Sequence, residues 1–78
     1  MNYRILIRRQ ARVALQALVR AERVRLTEKI MLLSQDPFDP RLCLRRMHVP
    51  DLYAMRVSSF QVVFEKVGHI KIMSIDKC

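Results

Sequence analysis

The sequence predicts an α+β domain: an N-terminal strand, a two-helix hairpin, then a mostly antiparallel sheet of three to four further strands with the helices on one face. Three observations predict it. Apolar residues between positions 11 and 33 recur with a helical period. Positions 52–65 instead read with a period of two on either side of a serine pair. Asp36-Pro37 and Asp39-Pro40 separate the two patterns, because proline removes a backbone donor and disfavours helix in the residue before it.

Tyr3 to Ile7 is short, β-branched and aromatic, and is expected to be the first strand. From Gln10 the period changes, and Ala11, Ala14, Leu15 and Leu18 follow the i, i+3, i+4, i+7 spacing of an amphipathic helix. A second helix is expected from about Ala21 to Ser34, with a buried stripe of Val24, Thr27 and Met31 together with Leu26, Ile30 and Leu33. No glycine or proline separates the helices. A turn near Arg20 to Arg23 is nonetheless expected, since an unbroken helix would be out of proportion to so small a domain. The loop Gln35 to Arg41 follows, then a short basic edge strand over Leu42 to Met47 and a connection through His48 to Asp51.

The ribbon Leu52 to Glu65 carries most of the information. Alternation sends Tyr53, Met55 and Val57 to one face and Ala54 and Arg56 to the other. After a reversal at Ser58-Ser59, Phe60, Val62 and Phe64 share a face, and Gln61, Val63 and Glu65 share its opposite. Arg56 and Gln61 are therefore expected side by side. A second reversal around Gly68 leads to a last strand from His69 to Ile75. The aromatic residues belong to the core by pattern, with the Tyr53 hydroxyl able to reach the rim of the arginine-bearing face, and the methionines read as gap fillers.

Composition narrows the function. The chain has 78 residues, treated as one domain over 1–78, and is 51% hydrophobic, too apolar for a disordered tail. A domain of this size buries a modest fraction of its surface, which favours a stabilising partner. The net charge of +8, mostly from arginine, favours polyanions such as RNA, DNA or an acidic protein, because arginine grips phosphate bidentately. Cys43 and Cys78 have no metal-type spacing and read as reduced thiols. No metal and no cofactor are expected. With no apolar run long enough to span a bilayer and no signal-peptide pattern, the cytoplasm is the expected compartment and no membrane partner is foreseen.

In the order of these elements the chain resembles the RelE/ParE superfamily of toxins from bacterial and archaeal type II toxin–antitoxin modules. The resemblance rests on Tyr3-Arg4-Ile5-Leu6-Ile7 before a helix with Ala14-Leu15 and Leu18, on Leu33 with Asp36-Pro37, on Leu44-Arg45, and above all on Tyr53-Ala54-Met55-Arg56-Val57 leading to Phe60-Gln61-Val62-Val63-Phe64-Glu65. In the RelE branch it implies a metal-independent, ribosome-dependent endoribonuclease. The messenger's 2′-hydroxyl attacks the adjacent phosphate, and basic side chains on the sheet face stabilise the developing charge.

Carried over by position, the resemblance implies catalytic roles for Arg56, Gln61 and Lys77, and RNA contacts through Arg45 and Arg46. The match is uneven. Ala54 stands where lysine or arginine is frequent, Gln61 where the next strand usually has arginine, and Cys78 where a terminal arginine is expected; no tyrosine or histidine follows. The implied partners are a cognate antitoxin protein, the ribosome and messenger RNA. Those same departures keep open two other readings: a ParE-like, non-nucleolytic inhibitor of DNA gyrase, and a nontoxic relative that binds only antitoxin or DNA.

Overall fold

A computed structural model describes residues 2–78. Its elements run β1 (Ile5–Ile7), α1 (Arg9–Gln16), α2 (Arg20–Gln35), β2 (Cys43–Arg46), β3 (Leu52–Val57), β4 (Phe60–Lys66) and β5 (Ile70–Lys77). The five strands form one sheet in the order β1-β5-β4-β3-β2. Only β1 pairs in parallel, with β5, and the helices supply its crossover; every other pairing is antiparallel. The α+β architecture expected from the sequence is the one observed.

The two helices part earlier than expected. α1 stops at Gln16, and the break occupies Ala17 to Val19, where Val19 is extended (φ −64°, ψ 156°). With no glycine or proline to impose it, the break is set by packing: Leu18 lies against the core. Its carbonyl, left without a helical partner, accepts a hydrogen bond from the Arg23 guanidinium at 3.4 Å.

Along α2 the buried stripe is Leu26, Ile30, Leu33 and Ser34. Val24 and Met31 face outward, 46% and 55% exposed, and Thr27 is exposed too. The helix is apolar on two sides, so periodicity alone could not choose; the side with the larger aliphatic payload wins the core. The Ser34 hydroxyl donates to the Met31 carbonyl at 2.6 Å, which meets the need of a buried polar group. Its backbone carbonyl accepts from the Tyr3 amide, which ties the approach to β1 to the end of α2.

Pro37 is buried, and the loop around it is held by its aspartates. The Phe38 amide donates to Asp36 Oδ1 at 3.1 Å, and the Arg41 amide donates to Asp39 Oδ1 at 2.8 Å. Arg41 also closes a two-pronged ion pair on the Asp39 carboxylate at 3.0 and 2.8 Å. These hydrogen bonds, with the charge of Arg41 behind them, lower the Asp39 pKa from 3.8 to about 2.

Within the sheet, Val63 pairs with Ser74 but Phe64 pairs with Ile72, so a bulge leaves Met73 unpaired. The extra residue lets both Ile75 and Ile72, three apart, face the core. Gly68 lies in the turn between β4 and β5 without a positive φ, and a Cβ there would meet nothing; that turn does not depend on its glycine. β5 runs two residues beyond its expected end. Among the described residues no helix is long and apolar enough to cross a membrane.

Leu33→Ala is expected to lower the unfolding free energy by about 2–5 kcal/mol, whereas Val24→Ala should stay within about 0.5 kcal/mol, both read from urea unfolding. Equal losses would contradict the orientation of α2. The Asp39 contribution is complete above its unfolded pKa of 3.8 and is lost as pH falls towards about 2. Thermal unfolding followed from pH 5 to pH 2 should therefore fall more steeply for the native chain than for Asp39→Asn.

Candidate functional site

The helices cover one face of the sheet and leave the other open. A two-residue reversal at Ser58-Ser59, with Ser58 in the left-handed region (φ 58°), closes β3 onto β4 through the pair Val57 and Phe60. That closure sets Arg56 directly opposite Gln61. Extending the register to both sides places Cys43, Arg56, Gln61 and Asp76 in one row across β2, β3, β4 and β5. The next row on the same face is Arg45, Ala54, Val63 and Ser74.

Between these rows lies a hollow of about 280 Å³, lined by Cys43, Leu44, Arg45, Ala54, Arg56, Gln61 and Cys78. Ala54, only 4% exposed, forms its floor; Arg45 and Arg56 are exposed on either side, and Gln61 is half-buried. Neither arginine has a carboxylate partner, since the one ion pair among the described residues is Arg41 with Asp39. Wider depressions of about 450 and 610 Å³ lie along the outer side of α2. The smaller hollow differs in having no carboxylate side chain in its lining, whereas Glu28 lines both wider depressions; two arginines and an amide around a shielded floor are suited to an anion.

The structure brings together Arg45, Arg56 and Gln61. Arg46 is in register with Tyr53 and so belongs to the opposite side of β2, at a shallow depression with Met47 and His48. Lys77 is the partner of Phe60, out of phase with the row of Gln61. Asp76 occupies the place on the open face, and Lys77 is not among the residues lining the hollow.

Tyr53 is also turned away from the open face. Its ring stacks on Phe64 at 5.5 Å and meets the edge of Phe38 at 5.9 Å, while the Lys66 ammonium sits over Tyr3 and Phe38 at 5.2 and 5.3 Å. Cys43 and Asp76 carry no site reading from the sequence, and Cys78 enters there only as the residue standing where a terminal arginine is expected. Their signal was the pairing of β2 and the length of β5, neither of which can be read without the sheet register. Among the described residues no group of three or more His, Cys, Asp or Glu side chains could hold a metal ion.

The hairpin that carries the site is anchored from below and beside. Arg25 of α2 donates to the Ser58 hydroxyl at 2.9 Å, and the Cys78 amide donates to the Ser59 carbonyl at 2.7 Å.

No protein-family model matches the chain, and comparison with curated proteins finds no matching sequence. Comparison with solved structures does find relatives. A chain of the archaeal RelE–RelB complex from Pyrococcus horikoshii OT3 superposes with a TM-score of 0.87 at 26% identity, over 99% of this chain and 96% of that one. The isolated E. coli RelE toxin gives 0.79 at 21% identity, over 97% and 84%. A chain of the RelBE2 toxin–antitoxin complex of Mycobacterium tuberculosis gives 0.79 at 16%, over the whole of both chains. The chain thus has a RelE-like fold, and the resemblance carried by the ribbon Tyr53 to Glu65 extends over the entire sheet and both helices.

Arg25→Ala is expected to accelerate amide hydrogen exchange in the turn Val57 to Phe60 while leaving protection at Ile70 and Ile72 unchanged. Loss of protection across the whole sheet would show that Arg25 stabilises the domain rather than the hairpin tip.

Proposed function

We propose that the chain is the toxin of a type II toxin–antitoxin pair and inhibits translation in the cytoplasm by RelE-type, ribosome-dependent cleavage of messenger RNA, acting as a single domain. The observation that carries this reading is the convergence of Arg56, Gln61 and Arg45 on the open face of a RelE-like sheet. In the proposed reaction the ribosome presents the messenger, and a 2′-hydroxyl of the message attacks the neighbouring phosphate. Its oxygen bonds to phosphorus as the bond to the 5′-oxygen breaks, leaving a 2′,3′-cyclic phosphate and a 5′-hydroxyl end, with the 2′-hydroxyl proton passing to water and the departing 5′-oxygen taking one from water. Arg56 and Arg45 stabilise the charge that grows on the phosphoryl oxygens, and the Gln61 amide donates a further hydrogen bond. Guanidiniums stay protonated throughout. The hollow therefore contributes charge and orientation, and no metal is assigned a role.

The partner proposed for the free chain is a cognate antitoxin, by likeness to the RelE–RelB and RelBE complexes. The outer side of α2 supports this. Its exposed Val24 and Met31 lie in depressions bordered by Arg20, Arg25, Lys29 and Arg41, with Glu28 the one acid between them, a predominantly basic surface that suits a helix with an apolar stripe and acidic flanks.

A second reading, ParE-like inhibition of DNA gyrase without RNA cleavage, draws on one feature of the hollow: Ala54, Gln61 and Cys78 leave it with only two fixed charges.

Purified chain added to programmed ribosomes should cut the message at mapped 5′ ends. Arg56→Ala should slow cleavage by about 100-fold, the usual cost of removing one group that stabilises an oxyanion. Lys77→Ala should change it less than about threefold, as expected for a surface cation away from the reacting phosphate. Folded protein that leaves ribosome-bound message intact but inhibits supercoiling by gyrase would establish the second reading instead.

A further inference from the structure

The chain has two cysteines, and both line the arginine hollow. Both thiols are free and exposed. Cys43 is the direct cross-strand partner of Arg56, which sets their Cβ atoms about 4.5–5.5 Å apart. Cys78 sits on the other side of the hollow, fixed by its backbone bond to Ser59 beside the hairpin turn. They cannot bridge to each other within this fold. Cys43 is in β2 and Cys78 directly follows β5, so β3 and β4 lie between them; three spacings of about 4.8 Å amount to roughly 14 Å, twice the Cα separation a disulfide tolerates. Each thiol must find its partner in a molecule from outside.

What enters is selected by charge. Arg45 and Arg56 flank the thiols and have no carboxylate partner. Asp76, next to Gln61 in the row, is the acid nearest in register. The local field therefore favours an anionic reagent over a cationic one.

We propose that the hollow is a thiol–disulfide exchange site for a small carboxylate-bearing disulfide of the glutathione-disulfide type, with Cys43 as the principal acceptor and Cys78 the second, and that the mixed disulfide closes the hollow to phosphate. The closing effect rests on the proposed reading of the hollow as the phosphate site; the exchange itself does not. The cysteine thiolate attacks one sulfur of the reagent, the reagent's sulfur–sulfur bond breaks, and a new bond joins protein to one half. The other half leaves as a thiolate and takes a proton from water. The protein thiol is oxidised, half of the reagent is reduced, and a dithiol reverses the step. Once attached, the carboxylates lie against Arg45 and Arg56 and neutralise the charges that would hold RNA.

Reduced protein would be treated at low ionic strength with oxidised glutathione or with cystamine, a cationic disulfide, and followed by intact mass and peptide mapping, each rate divided by that of an uncharged model thiol with the same reagent. The expected result is adducts on Cys43 and Cys78 and a preference for the anionic reagent of roughly tenfold, abolished by 1 M salt or by the double variant Arg45→Ala, Arg56→Ala. Cys43→Ser should remove the faster-forming adduct. RNA affinity of the mono-adduct should drop at least about tenfold and return with dithiothreitol, each 1.4 kcal/mol of lost contact being a factor of ten. A normalised preference for cystamine, or a protein that closes a Cys43–Cys78 disulfide by losing two hydrogens, would overturn the exchange site. An adduct with undiminished RNA affinity would overturn its closing effect. Unmodified protein that binds no RNA would instead count against the proposed function and the closing effect together, with the mass data still deciding the exchange.

Discussion

The register of the hairpin formed by β3 and β4 is the constraint on which the rest of the structure depends. A strand sends successive side chains to opposite faces, so a slip of one residue would turn Met55 and Val62 out of the core and bring Arg56 into it. The reversal at Ser58-Ser59 prevents this by pairing Val57 with Phe60. Packing reinforces the choice: Met55, Val62 and Phe64 are almost wholly buried against the helical layer, and Arg25 pins the turn itself. With that pairing fixed, Arg56 must face Gln61, and neighbouring strands can add to the row only in the same phase. The core and the candidate site are two sides of one alignment.

That alignment also explains what could and could not be read from the sequence. The hairpin was legible because its alternation and its turn are local, and with it came the adjacency of Arg56 and Gln61. Arg45 and Arg46, adjacent in sequence, were read as a pair; alternation divides them between the two faces once β2 is paired. Lys77 fell outside the expected last strand. Its orientation follows from a bulge at Val63 and Phe64 and from two further residues of pairing, neither of which leaves a local signal. The same is true of α2. Two apolar stripes compete along one helix, and only contact with β3 shows that Leu26, Ile30 and Leu33 belong inside and Val24 and Met31 outside. The helix break at Ala17 to Val19 likewise has no residue that demands it, only a leucine drawn to the core.

The distribution of charge separates the helical layer from the hollow. Arg9, Arg12, Arg20, Arg23, Arg25 and Lys29 belong to the helices, on the layer opposite the open sheet face. The net charge of +8 is therefore a property of the whole surface, acting at a distance and screened within about 10 Å at 0.1 M salt. The hollow differs by geometry. Two arginines stand on either side of a buried alanine floor, on strands whose register sets their spacing, and placement is what allows donors to stabilise charge appearing on a particular oxygen. A polyanion drawn by the helical layer alone would gain affinity without orientation.

An uncovered sheet face and a free edge would ordinarily invite other strands to pair. Here the edge strand β2 carries Arg45 on one side and Arg46 on the other, so charge guards both faces of the edge. At the opposite edge β1 has only three residues, too short to template a new strand. Arg45 thus serves two needs with one position, keeping the edge unpaired and giving the hollow its second charge. The open face can stay open because the exposed arginines proposed to bind an anion also make it a poor surface for another sheet.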